Sequence, residues 1–200
     1  MTALVPVRTG SSAKRRLAHV LGPDDRDALI RHLLGHVVRT LQGAGLRVIV
    51  LAPDQLPLAG VDVWTDASQG LNPALSAALG RLGGPVMIVP SDLPWLEPHD
   101  VVRLIGEPGD VVVARADDGG TNALLLRRHL TPAFGPGSAL VHAADAHRRG
   151  LSCRVVTIDG FERDLDDEAE LARAMHRARG LVGWERYGAG AVSGSGASNA

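Results

Sequence analysis

Continuous apolar runs alternate along the chain with segments whose apolar residues recur at every fourth position. The runs predict buried strands at 3–7, 47–52, 61–64, 86–89, 110–114, 122–126 and 154–158. Four apolar side chains at four-residue spacing, from Leu29 to Leu41, predict a helix that begins at residue 24 and ends at Gly43. Similar patterns predict helices from Pro73 to the Gly83-Gly84 pair and at 98–105, 137–149 and 167–179.

Alternation of strands and helices predicts an α/β fold with a mostly parallel sheet covered on both faces. Ligands of such sheets bind outside the carboxyl ends of the strands, so we expect the chemistry in the loops that follow the strands. One domain is predicted over 1–187. A Gly-, Ala- and Ser-rich stretch over 188–200 predicts a flexible tail.

Composition narrows the function classes. The chain has 200 residues, a formal net charge of −1 and a pI near 6.7, which argues against bulk binding of nucleic acid or a membrane surface. Its one cysteine, Cys153, excludes an internal disulfide and a cysteine zinc cluster, and fits a reducing compartment. No signal-peptide or membrane-spanning pattern is found, so we expect a cytoplasmic protein.

A cationic loop follows the first predicted strand. It runs from Arg8 to Leu17, contains Gly10 and two serines, and includes Lys14, which is the only lysine of the chain. An ammonium and backbone N–H groups there suit a triphosphate, although the P-loop spacing is absent. The alternatives are a solvated basic loop and an accidental surface lysine.

Carboxylates follow two other strands. Asp92 comes directly after the strand at 86–89 and could hold magnesium, or cap the following turn. Asp164 and Asp166 precede the last helix. We expect them to point to opposite sides of an extended segment, so that only one of the two faces a metal.

Two glycine-containing segments suggest an anion site. One is Gly119-Gly120-Thr121-Asn122, and the other is Phe134-Gly135-Pro136-Gly137-Ser138, which leads into a predicted helix. A hydroxyl and N–H groups at a helix N-terminus bind anions, whereas Ser138 as a plain N-cap is the alternative. His142 lies one turn after Ser138 and could face the same site. The remaining histidines lack metal-ligand spacing.

Taken in order, these segments resemble the guanylyltransferases that make the phosphodiester precursor of the deazaflavin coenzyme F-420. The resemblance covers nearly the whole chain apart from the tail. Its matching segments are Pro6-Val7, Ala13-Lys14 with Arg16-Leu17, Gly70-Leu71-Asn72, Pro90 with Asp92-Leu93-Pro94, Gly120-Thr121-Asn122-Ala123-Leu124-Leu125, Phe134-Gly135 with Gly137-Ser138 and His142, and Asp164-Leu165-Asp166 with Leu171. It implies a single-domain, Rossmann-like α/β/α sandwich of nucleotidyltransferase type.

The resemblance also implies a role for each candidate residue. Asp92 and an aspartate of the Asp164/Asp166 pair should bind Mg²⁺, and Lys14 and Arg16 should face the triphosphate. The remaining candidates fall into two groups: Thr121, Gly135 and Ser138 for the phosphorylated acid, and Arg8, Lys14, Gly70 and Asn72 for the nucleotide.

The sequence departs from the family pattern at a few positions. Arg8 stands where lysine is usual and is expected to alter nucleotide geometry. Arg15 replaces a small hydroxyl residue, and Trp95 replaces an aliphatic residue and is expected to reshape a pocket wall. Asp167 and Glu170 alter the usual ending of the last motif.

The implied reaction transfers GMP from GTP to phosphoenolpyruvate, or to 2-phospho-L-lactate, with release of pyrophosphate. The partners are then small molecules, and a homodimer is compatible with a sequence that does not determine the oligomeric state. Two alternatives stay open: a nucleotidyltransferase with a 3-phosphoglycerate, molybdopterin or sugar-phosphate acceptor, and a catalytically silent nucleotide-binding protein on the same fold.

Overall fold

The structure is a computed structural model that describes residues 1–9, 13–65 and 70–177. Its strands are β1 (Thr2–Pro6), β2 (Arg47–Ala52), β3 (Asp62–Thr65), β4 (Val86–Ile88), β5 (Val111–Arg115), β6 (Thr121–Leu126) and β7 (Cys153–Val156). Its α-helices are α1 (Pro23–Gly43), α2 (Leu71–Leu79), α3 (Pro98–Gly106), α4 (Ser138–Arg148) and α5 (Glu168–Arg177). Two 3₁₀ turns lie at Arg15–Leu17 and Asp159–Phe161. None of the helices in the described ranges has the length and apolar character needed to span a membrane.

The seven strands form one sheet in the order β3-β2-β1-β4-β6-β5-β7. Among the described strands only β6 runs antiparallel to its neighbours, so the prediction of a mostly parallel sheet is confirmed. The direction of β6 follows from the short 116–120 connection to β5, because a parallel crossover needs a dozen or more residues. As a result the first residue of β6, Thr121, lies at the end of the sheet where the carboxyl ends of β1 and β4 are found.

Helices cover both faces of the sheet, as the alternation predicts. Apolar side chains of α1 and α3 share one core cluster with the sheet, and those of α2 and α4 share another. A third, smaller cluster packs Leu17 of the first 3₁₀ turn against α1, α5 and Leu165. This third cluster brings the loop after β1 and the loop before α5 together at the same end of the sheet.

Some predicted boundaries differ from the observed ones. The prediction that α2 begins at Pro73 and reaches Gly83-Gly84 is wrong, since the helix begins at Leu71 and ends at Leu79. Pro73 is tolerated in the first turn of the helix, because the N–H groups of that turn have no helical partner. After Gly80 the chain forms tighter turns, in which the N–H groups of Arg81 and Leu82 donate to carbonyls three residues earlier. Residues 10–12, the end of the predicted domain at 187 and the predicted tail lie outside the described residues.

Candidate active site

An open cleft of about 950 Å³ lies across the end of the sheet at which β1, β2 and β4 end and β6 begins. That volume is near the upper end of the range for small-molecule sites. The structure places ten of the predicted site residues on its wall, namely Arg8, Lys14, Arg16, Gly70, Asp92, Thr121, Gly135, Ser138, Asp164 and Asp166. The remaining one, Asn72, lies beside the cleft.

Three carboxylates converge at one point of the cleft. Oxygen atoms of Asp92, Asp164 and Asp166 all lie within 4.8 Å of one another. The expectation that only one of Asp164 and Asp166 faces this point is wrong. Side chains two residues apart in an extended segment lie on the same side, and Leu165 between them is buried in the third core cluster. The N–H of Leu165 also donates to the carbonyl of Asp92 over 2.9 Å, which locks the two loops together.

The side chain of Lys14 enters this carboxylate cluster. Its Nζ donates to Asp92 Oδ2 over 2.6 Å and to Asp166 Oδ1 over 2.8 Å, and the side chain is only 7% exposed. The backbone of Lys14 has a φ of 49°, in the left-handed region that non-glycine residues seldom adopt. Such strain persists only where the surroundings enforce it, and here Leu17, three residues on, is fully buried and its N–H donates to the Lys14 carbonyl.

Burial and the local charges together shift two pKa values. Burial raises the pKa of Asp164 to about 6, and the nearby charges of Asp92 and Asp166 add to this effect. Burial opposes the charged form of Lys14, but the carboxylates of Asp92 and Asp166 outweigh it and hold its pKa above the ordinary value. When all four groups are charged, three carboxylates and one ammonium carry a net charge of −2. Carboxylate oxygens in this number suit a small, hard divalent cation.

A second polar cluster lies at the start of β6. Ser138 Oγ donates to Thr121 Oγ1 over 2.9 Å, and His142 Nδ1 lies 3.1 Å from the same oxygen. The N–H of Ala133 donates to His142 Nε2 over 2.9 Å, so the other ring nitrogen must carry the imidazole proton and donate to Thr121. Thr121 therefore accepts two hydrogen bonds and keeps its own hydroxyl proton for a ligand in the cleft.

His142 contacts this cluster from behind the cleft wall. It is fully buried, and burial lowers its pKa to about 4, which keeps the ring neutral near pH 7. The expectation that it faces the same site as Ser138 is not met, because His142 does not line the cleft and reaches it only through its hydrogen bond with Thr121. A neutral, buried ring with both nitrogens engaged orients Thr121 and has no lone pair left for a substrate proton.

The first turn of α4 differs from the predicted anion site. The N-cap is Gly137, with a φ of 67°, and Ser138 is the first helical residue. The N–H of Ser138 donates to the Gly135 carbonyl and that of Ala139 to the Gly119 carbonyl. Two N–H groups of the helix start are thus occupied, and the hydroxyl proton of Thr121 remains available to a ligand at this corner because Ser138 Oγ already donates to Thr121.

Asn72 holds the neighbouring loop in place. Its Nδ2 donates to the Phe134 carbonyl over 3.0 Å, and its Oδ1 accepts from the Phe134 N–H over 2.8 Å. The amide is occupied on both sides by backbone, and the side chain does not line the cleft. Asn72 thereby positions the turn that carries Gly135, whereas the neighbouring Gly70, with a φ of 108°, lies on the cleft wall itself.

Four further residues, two of them basic, bear on the composition of the cleft wall. Arg8 and Arg16 are exposed and line the cleft on the side of Lys14. The expectation that Trp95 reshapes a pocket wall is wrong, because Trp95 packs against the third core cluster. Sequence reasoning missed Asp54, which lines the cleft two residues after β2 and could have been found by the rule that led to Asp92.

Comparison with known proteins adds sequence relatives. The family model described as "Guanylyl transferase CofC like" matches residues 1–181. The chain is 42% identical to the phosphoenolpyruvate guanylyltransferase of Rubrobacter xylanophilus, over 86% of this chain and 91% of that protein. It is 31% identical to the 2-phospho-L-lactate guanylyltransferase of Archaeoglobus fulgidus, over 92% and 88% of the two chains.

A solved structure supports the fold. A putative nucleotide-diphospho-sugar transferase from Desulfovibrio desulfuricans superposes with a TM-score of 0.73 at 17% sequence identity, over 90% of this chain and 88% of that one. The fold is therefore the Rossmann-like α/β/α sandwich of nucleotidyltransferases.

Proposed function

This chain belongs to the family of CofC-like guanylyl transferases, and we propose that it transfers GMP from GTP to a three-carbon phosphorylated acid with release of pyrophosphate. The observation that carries the proposal is the arrangement of one cleft. The same cleft is lined by the Asp92–Asp164–Asp166 cluster with Lys14 and by the hydroxyl pair of Thr121 and Ser138, which begin β6 and α4.

The reaction needs little acid–base chemistry. An oxygen of the acceptor phosphate bonds to the α-phosphorus of GTP, and the bond from that phosphorus to the bridging oxygen of the β-phosphate breaks. The acceptor phosphate has a second pKa of about 6, so it is largely ionised near neutrality and needs no general base. This agrees with a neutral His142 whose two nitrogens are both engaged.

The main obstacle is repulsion between two anions, which the cleft must bring together. We propose that Asp92, Asp164 and Asp166 hold Mg²⁺, whose oxygen preference their donor set matches. When bound, the metal supplies positive charge to phosphate oxygens. The same cleft is lined by three cations: the held ammonium of Lys14 and the exposed side chains of Arg8 and Arg16. We propose that they bind the triphosphate and the departing pyrophosphate.

The acceptor is proposed to lie against Thr121, Ser138 and the Gly135 turn, with the nucleotide bordered by Gly70. Phosphoenolpyruvate is the proposed acid, and the 42% identity to a phosphoenolpyruvate guanylyltransferase supports it. The lower identity of 31% to a 2-phospho-L-lactate enzyme makes phospholactate the second candidate.

The test measures pyrophosphate release from GTP and Mg²⁺ with phosphoenolpyruvate, 2-phospho-L-lactate or 3-phosphoglycerate in parallel reactions. Release with phosphoenolpyruvate is expected, and release with another acid alone would reassign the acceptor. Asp92→Asn should lose at least 100-fold in turnover while keeping its fold. Asp62→Asn, on exposed β3, is the matched control and should keep full activity. A folded wild-type protein that is silent with all three acids would overturn the proposal.

We also propose that the enzyme works in the cytoplasm, where Cys153 stays reduced, and that it forms a homodimer. Sedimentation of the purified chain tests the second point, for which a monomer mass would be the contrary result.

A further inference from the structure

Asn122 carries a buried amide nitrogen that the described part of the fold leaves without a hydrogen-bond partner. The residue is 4% exposed, and its Nδ2 has no hydrogen-bond partner among the residues that the structure describes. Buried polar groups are nearly always paired, so an unpaired donor calls for an explanation. Asn122 lies on the wall of the cleft, where a ligand could supply the missing partner.

A β-bulge places this side chain. The pairing of β5 with β6 is regular up to Ala114, which lies opposite Ala123. The next residue of β5, Arg115, lies opposite Thr121, so Asn122 is an extra residue in β6. Bulges are frequent beside active sites, where they redirect a side chain.

The bulge turns two adjacent side chains toward the same face. Strand alternation puts Asn122 on the face of Leu124 and Leu126, whose side chains share a core cluster with residues of α4. Thr121 bonds Ser138 and His142, which also belong to α4. In a regular strand Thr121 and Asn122 would point to opposite faces, whereas here both lie on the α4 side.

We propose that Asn122 Nδ2 donates a hydrogen bond to an anionic oxygen of the acceptor acid, beside the free hydroxyl proton of Thr121. The identity of this ligand rests on the proposed function. A neutral amide suits the position, because it donates to an anion without adding a charge to the cleft that Asn122 and Asp92 both line. The acceptor is favoured over GTP because Asn122 directly follows Thr121, whose hydroxyl is bonded to Ser138, whereas the basic residues Arg8 and Lys14 follow β1.

Steady-state kinetics of Asn122→Leu and Asn122→Asp separate a ligand contact from a packing role. Leucine keeps the approximate volume and removes the unpaired donor. We expect Asn122→Leu to unfold near the wild-type temperature, because the Nδ2 that it removes makes no internal hydrogen bond among the described residues. The KM for the acceptor should rise about 10- to 100-fold, as the loss of one hydrogen bond to a charged group implies, while the KM for GTP stays within twofold. Asn122→Asp should weaken acceptor binding further by repulsion between like charges.

The control is Thr40→Val, a buried polar-to-apolar change on α1 outside the cleft, which should leave both KM values unchanged. A lowered unfolding temperature with equal loss for both substrates would make Asn122 a packing residue and overturn the inference. If the wild type turns over and Asn122→Leu has the same KM for the acceptor, the inference is also overturned, while the proposed function stays intact. A wild type that is silent with every acid would instead refute the proposed function, and the inference with it.

Discussion

Lys14 Nζ lies 2.6 Å from Asp92 Oδ2, although 78 residues separate the two in the chain. The contact forms because β1 and β4 are adjacent parallel strands, and each residue lies in the loop after its strand. The ammonium thus counters part of the negative charge that Asp92, Asp164 and Asp166 place together.

Replacing Lys14 with methionine should affect stability and turnover together. The carboxylates would lose their nearest cation, so we expect a loss of about 2 kcal/mol in the free energy of unfolding. Turnover should fall about 100-fold or more. Urea unfolding and pyrophosphate release measure the two effects. Adding Asp92→Asn should restore part of the stability, whereas strictly additive losses would contradict direct coupling of the two residues. Arg47→Met, which breaks an exposed ion pair with Asp62, is the control and should cost less than 1 kcal/mol.

Asp164→Asn should stabilise the metal-free protein and remove its activity. The pKa of Asp164 rises from 3.8 to about 6 on folding, so the folded state holds the proton more tightly than the unfolded state. This favours the folded state below pH 4, and the advantage is lost as the pH rises through 6. In EDTA at pH 7.5 we expect the variant to gain roughly 1 kcal/mol over wild type, a value reduced for the partial exposure of the side chain. The gain should shrink at pH 4.5. Equal stability of the two proteins at both pH values would show that folding does not raise the pKa of the Asp164 carboxyl group.

His142 should give stability the opposite pH dependence. Its pKa falls from 6.5 to about 4 on folding, so the unfolded state takes up a proton first as the solution is acidified. The free energy of unfolding should therefore drop between pH 6.5 and pH 4, by roughly 2–3 kcal/mol at most. Comparing wild type with His142→Gln at each pH isolates this contribution from that of Asp164. A difference between the two proteins that does not change with pH would contradict a neutral, buried ring.

Asn72→Ala tests whether this residue positions the loop or binds the nucleotide. The change removes two hydrogen bonds to the backbone of Phe134, and we expect a loss of about 1–3 kcal/mol in stability. Because the released turn carries Gly135, the KM for the acceptor should rise more than the KM for GTP. A rise in the GTP value alone would favour the nucleotide contact that the family resemblance implies. Ser76→Ala, exposed on the same helix, is the control and should change neither value.

The fold class and most of the cleft could be predicted because they depend on local signals. Apolar runs and helical periodicity determine which segments become strands and helices, and short connections restrict how these can be joined. The rule that ligands bind at the carboxyl ends of parallel strands then led to Lys14 and Asp92. Even the reversed β6 is implied by a connection of only five residues between β5 and β6.

The direction of individual side chains depended on tertiary packing. Asp164 and Asp166 both face the cleft because Leu165 is buried against Leu17 and α1, a contact between distant parts of the chain. The bulge at Asn122 and the engagement of Asn72 with Phe134 likewise depend on partners outside the local sequence. Local sequence sets the backbone preferences of each segment, whereas the final orientation of a side chain follows from the burial and pairing of all its neighbours at once, which only the assembled structure contains.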